Sequence, residues 1–153
     1  MKTSDSSDVF GDIEVQSAVL TRNFELLRRR RSHQLEVDRA EYLLLRTLEA
    51  NGPSSIGDLA DALGLDSSTV GRQASGLERS GWAERVPDPA DRRRMIVQLT
   101  PTGRTAMRRT SRERRRRTES LLGHWSEEDL HTLAAMFRRY NAEVARHYLG
   151  RDD

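Results

Sequence analysis

Residues 55–81 read SIGDLADALGLDSSTVGRQASGLERSG, and the fold is decided there. Ser55, with Asp58 three positions on, forms a capping pair: a side-chain oxygen for the orphan N–H groups, and an acid reaching back. Leu59, Ala60 and Leu63 follow on one helical face, and Gly64 ends the element in a conformation that glycine tolerates. Asp66 or Ser67 caps a second helix, in which Val70, Ala74 and Leu77 face inward and Gly81 closes the run. Two short helices joined by a tight glycine-containing turn make a helix-turn-helix pattern.

Downstream, Trp82–Val86 and Met95–Leu99 read as strands, the second carrying the β-favouring Ile96, Val97 and Leu99. Pro87-Asp88-Pro89-Ala90-Asp91-Arg92-Arg93-Arg94 between them is a loop, so the pair is a hairpin, or wing. Thr100-Pro101 starts a long helix, with proline where its missing N–H costs nothing, and Gly123 breaks it after about Leu122. Ser126-x-x-Asp129 opens a last helix with Leu130, Leu133, Phe137, Tyr140, Val144 and Tyr148 along one face. Upstream, Asp38-x-x-Glu41 begins a helix that turns Tyr42, Leu45 and Leu48 inward, with Leu44 beside them, and Asn51-Gly52-Pro53 stops it. Before that, Ile13, Val19, Leu20, Phe24 and Leu27 give a helix over about Asp12–Ser32, and Met1–Gly11 is expected to be a disordered tail. The expected class is mainly α with a small β-hairpin wing.

Apolar residues are 35% of the 153, below the usual ~45–50%, which favours thin helical elements packing on a partner over one large core. The net charge is only +2, but Val70–Arg117 holds fourteen arginines against five acids, a local +9. A segregated basic block suits a polyanion. With no cysteine, disulfides, thiolate metal sites and thiol redox sensing are excluded, which fits the cytoplasm. No apolar run approaches the ~20 residues of a membrane span.

In order and spacing, several stretches resemble the MarR family of transcriptional regulators. They are Ile56-Gly57-Asp58-Leu59-Ala60, Ser68-Thr69-Val70-Gly71-Arg72, Leu77-Glu78-Arg79-Ser80-Gly81-Trp82, Glu84-Arg85, Asp91-Arg92-Arg93 and Val97-Gln98-Leu99-Thr100-Pro101-Thr102-Gly103. The resemblance implies a homodimer whose first and last two helices interlock, here residues 12–36 and 104–150, with one winged helix-turn-helix lobe per chain, here residues 37–103. It also implies double-stranded DNA with a pseudo-palindromic operator as partner, repression as the usual outcome, and release by a small aromatic or anionic ligand whose pocket residues are not assigned. Gly71 departs from the family pattern, standing where Ser or Thr is common; it removes a phosphate-contacting hydroxyl and costs about 1 kcal/mol relative to Ala within a helix.

On this reading the recognition helix is about Ser67–Ser80, and its leading face offers Ser67, Ser68, Thr69, Arg72 and Gln73. Small hydroxyls allow close approach, arginine matches guanine O6 and N7, and glutamine matches adenine N6 and N7. The wing tip carries Asp91, Arg92, Arg93 and Arg94, and arginine fits a narrow minor groove. By resemblance, Arg93 is the inserted residue and Asp91 pairs with it. Arg108, Arg109, Arg112 and Arg114–Arg117 read mostly as a solvated helix face with arginine–glutamate pairing; phosphates, an anionic ligand or acids of a partner subunit are the alternatives.

His33, His124, His131 and His147 are scattered without metal-ligand spacing, so neither metal nor cofactor is expected. No glycine-rich phosphate loop, nucleophile elbow or paired-carboxylate arrangement marks an enzyme. Two other readings compete with the ligand-responsive repressor. One is a winged-helix protein-interaction module without specific DNA binding, since fold does not fix function. The other is sequence-blind DNA compaction, against which Arg72 and Gln73 argue.

Overall fold

The computed structural model describes residues 8–29 and 37–149. Its elements are α1 (Val9–Arg29), α2 (Arg39–Asn51), α3 (Ile56–Leu63), α4 (Ser67–Arg79), β1 (Ala83–Pro87), β2 (Met95–Leu99), α5 (Pro101–Leu122) and α6 (Glu127–Leu149). They fall into two compact units, Met1–Leu35 and Glu36–Asp153. The element order is that of a winged helix-turn-helix protein with flanking helices.

In the first unit α1 begins at Val9, so Val9, Phe10 and Gly11 are helical and not part of a tail; residues 1–7 of that expected tail lie outside the described residues, as do His33 and residues 30–36 of the expected helical dimerisation region. The Asp8 carboxylate accepts the Gly11 N–H at 3.0 Å, an N-terminal capping contact not read from the sequence. Most large apolar side chains of α1 are exposed, Phe10 by 81%.

In the second unit the core sits where α2, α3, α4 and the hairpin meet. Leu44 and Leu45 of α2, Leu59 of α3 and Val70, Ala74 and Leu77 of α4 have no exposed surface. Each buried leucine contributes about 1.5–3 kcal/mol. The caps match the sequence signals. Asp38 accepts the Glu41 N–H at 2.8 Å while Glu41 accepts the Asp38 N–H at 3.1 Å. Ser55 and Asp58 repeat the same exchange at 3.1 and 3.3 Å. Gly64, with φ of 65°, ends α3 in the left-handed region.

The hairpin is antiparallel, from Ala83 opposite Leu99 to Pro87 opposite Met95. Pro87 therefore ends β1 rather than starting the loop, at a strand terminus where a missing donor is tolerated. A further contact, absent from the sequence reading, is an isolated bridge: Ser54 and Val97 exchange backbone hydrogen bonds of 3.0 and 2.8 Å. It fastens the segment before α3 to the inner strand of the wing.

Thr100 caps α5, its hydroxyl accepting the Gly103 N–H at 3.0 Å and donating to the Gly81 carbonyl at 2.6 Å. The Thr100 N–H donates to the Trp82 carbonyl at 3.1 Å. Gly103, Ala106, Met107 and Thr110 of α5 are buried. The lobe's core therefore runs past residue 103, where the sequence reading ended it. On α6, Met136, Phe137, Tyr140 and Val144 are exposed, as is Trp125 before it. The Tyr148 side chain and residue 150 lie outside the described residues. No described helix is long and apolar enough to cross a membrane.

Candidate nucleic-acid interface

Helix α4 is seated by its inner edge, Val70, Ala74 and Leu77, so the opposite edge is fixed in direction before any ligand arrives. Its N-cap is Asp66. That carboxylate accepts the Thr69 N–H at 2.8 Å, the Thr69 hydroxyl at 2.7 Å and the Ser68 hydroxyl. Donation from the Ser68 and Thr69 side chains and the Thr69 backbone holds the Asp66 carboxyl far below the ordinary carboxylate range. The Ser68 and Thr69 hydroxyl protons are thus directed at Asp66. Ser67 is exposed at the first helical position.

Arg72 is exposed, and its guanidinium donates to the Thr69 hydroxyl oxygen at 3.1 Å. Gln73 is only half-exposed: its side-chain carbonyl oxygen is buried, with no hydrogen-bond partner among the described residues. The signal was in the sequence, for Gln73 stands three residues after Val70 and four before Leu77, at the margin of the inner face.

Arg85 of β1 reaches back over α4. Its guanidinium donates to the Ser75 hydroxyl at 3.2 Å and to the Gly71 carbonyl at 3.4 Å, and it pairs with Glu78 at 3.4 Å. An open groove of about 560 Å³ results, lined by Ser68, Gly71, Arg72, Ser75, Arg79 and Arg85. Ser75, Arg79 and Arg85 were missed by sequence reasoning. The first two were accessible to it, being one and two helical turns beyond Arg72; Arg85 needed the placement of β1 on α4.

A Cβ added at Gly71 meets no atom within 4 Å. Nothing there requires glycine, so Gly71→Ala is expected to raise stability by about 0.5–1 kcal/mol in urea denaturation. A neutral or destabilising result would show that the glycine has a packing role.

In the wing, Asp91 accepts the backbone N–H of Arg93 at 3.0 Å, and the Asp91 carbonyl accepts the Arg94 N–H at 2.9 Å. Asp91 therefore shapes the turn through the backbone, and no Asp91–Arg93 side-chain ion pair forms among the described residues. Arg92 and Arg93 are exposed at the tip. Arg94 turns back to Asp58 of α3, 3.8 Å away. Along α5, Arg104 and Arg108 reach Glu49 at 4.0 and 3.6 Å, Arg115 pairs with Glu119 at 2.7 Å, and Arg117 with Glu113 at 3.0 Å. Arg114 lies over the Tyr42 ring, 4.5 Å from its centre. Among the described residues no group of three or more His, Cys, Asp or Glu is placed to hold a metal.

Residues 35–94 match the family model described as "MarR family". Over 105 residues the chain is 33% identical to the uncharacterized HTH-type transcriptional regulator YxaD of Bacillus subtilis, covering 69% of this chain and 73% of YxaD. The chain belongs to the MarR family. Solved MarR-like structures agree in fold. The PcaV transcriptional regulator of Streptomyces coelicolor, solved with its natural ligand, superposes with a TM-score of 0.70 at 25% identity, over 93% of this chain and 98% of PcaV. FabT of Streptococcus pneumoniae, solved in complex with DNA, gives 0.71 at 20% identity, over 90% of this chain and 98% of FabT. This MarR-family protein is thus a transcriptional regulator with a DNA-binding winged helix-turn-helix fold.

Proposed function

We propose that the protein is a sequence-specific repressor that binds a pseudo-palindromic operator as a homodimer in the cytoplasm and is released by a small aromatic or anionic ligand. The observation that carries the reading is a helix fixed by Val70, Ala74 and Leu77 with Ser67 and Arg72 exposed along its outer edge. Such an element fits the major groove, where bidentate arginine contacts read guanine. The exposed Arg92 and Arg93 supply a second, groove-inserted contact. The apolar side chains left bare on α6 support pairing with a second copy, because exposed apolar patches of this kind are covered in assemblies. A ligand-binding role is supported by the likeness to PcaV, solved with its natural ligand, and DNA binding by the likeness to FabT, solved with DNA. No enzymatic reaction is assigned.

The test is an electrophoretic shift with DNA from upstream of the protein's own gene, against random duplex of equal length. Half-sites about one helical turn apart and a steep loss of affinity with salt are expected. Aromatic acids that raise the melting temperature should then displace the DNA. Equal affinity for random and upstream duplex would favour sequence-blind compaction, and no affinity for either would favour a protein-interaction module.

A further inference from the structure

We propose that the groove between α4 and β1 seats a backbone phosphate of bound DNA, with Arg79 as the cation that grips it. This rests on the DNA-binding reading above and adds a residue and a role to it. Ser68, Arg72, Ser75 and Arg79 follow one another at steps of four, three and four, so they form a single stripe down the outer edge of α4. Seven residues separate Arg72 from Arg79, a rise of about 10.5 Å. The major groove is about 12 Å wide. When Arg72 stands at a base edge, Arg79 therefore stands at the groove wall, where the phosphates are.

Charge distribution supports the same end of the helix. Asp66 places an ionised carboxylate at the leading tip of α4, which opposes a phosphate there and occupies the Ser68 and Thr69 hydroxyls. At the trailing end Glu78 is engaged by Arg85, so it does not neutralise the groove. Arg79 is exposed, and no ion pair or hydrogen bond of its side chain is formed among the described residues. The bland account is that Arg79 only complements the negative end of the α4 dipole. That account predicts a change in stability and none in the salt dependence of binding.

The experiment is fluorescence anisotropy of the full chain with its upstream duplex and a random duplex, between about 50 and 200 mM salt. Arg79→Gln is expected to weaken both complexes about tenfold and to lower the slope of log K against log salt by about 1.8, or about 0.9 for the Arg79 of each copy in the proposed dimer, leaving the ratio of the two affinities unchanged. Arg79→Lys, which keeps the charge, should restore the slope. If R79Q binds both duplexes with parental affinity and slope, the proposal falls while the DNA-binding reading stands. If the parent binds neither duplex, both fall. In a separate arm, inorganic phosphate is added during thermal melting. Protection of the parent but not of R79Q, with DNA binding by R79Q unchanged, would make the groove a free-anion site and overturn the proposal.

Discussion

Gly103→Ala is expected to lower the stability of the protein by about 3–5 kcal/mol, a large part of the 5–15 kcal/mol a domain of this kind has. Alanine is normally the better helix former by about 1 kcal/mol, so the sign is opposite to that expected at Gly71. The reason is local. A Cβ at Gly103 falls 1.8 Å from the Trp82 carbonyl oxygen and 2.7 Å from its carbonyl carbon. Both are backbone atoms, so no rotamer change relieves the clash. Moving the Trp82 carbonyl breaks its hydrogen bond from the Thr100 N–H and disturbs the Gly81 carbonyl that Thr100 also holds. The α5 cap and the start of β1 therefore fail together. Chemical denaturation at a fixed protein concentration checks this, since the homodimer proposed above would make stability concentration-dependent. A Gly103→Ala protein within about 1 kcal/mol of the parent would mean that the close approach of α5 to Trp82 is wrong.

The second large effect concerns recognition. Arg72→Ala is expected to cost about 1–3 kcal/mol of discrimination at one base pair per half-site while leaving affinity for random DNA nearly unchanged. Among the described residues the Arg72 guanidinium is held only by the Thr69 hydroxyl, a neutral partner that is easily exchanged for a base edge. Arg93→Ala, at the exposed wing tip, should instead weaken all duplexes alike. Competition binding against an operator set with each base pair changed in turn separates the two. Uniform loss in Arg72→Ala would demote that residue to a phosphate contact, and parental binding by both variants would remove the assigned interface.

Much of the fold was legible because it is punctuated by local signals. Asp38, Ser55, Thr100 and Ser126 carry their own cap chemistry, and all four oxygens accept the N–H three residues on. The strand β2 was placed to the residue, and the run of prolines, aspartates and arginines marked the wing loop. Features that depend on separate parts of the chain meeting were not legible. The Ser54–Val97 bridge involves one residue on each side and leaves no alternation to read. The clasp of Arg85 over α4 needed the placement of β1, and Arg94 turning to Asp58 needed that of α3. The burial of the Gln73 carbonyl was within reach of helical period alone, but glutamine's match to adenine weighed more in the reading than its position did. At the wing, Asp91 was expected to steer a guanidinium across space; the shorter reach to the backbone N–H of Arg93 won, as is usual for aspartate in turns.

The start of α5 is embedded in the lobe through Ala106, Met107 and Thr110, while the same unbroken helix continues to Leu122. Twenty-two residues make a rod about 33 Å long. A stiff rod anchored as far as Thr110 behaves as a lever with an arm of about 18 Å: tilting it by some 5° sweeps its end through about 1.6 Å and turns whatever is welded to its root by the same angle. In the homodimer proposed above, two such levers would set the distance between a pair of reading heads without any rearrangement inside either one.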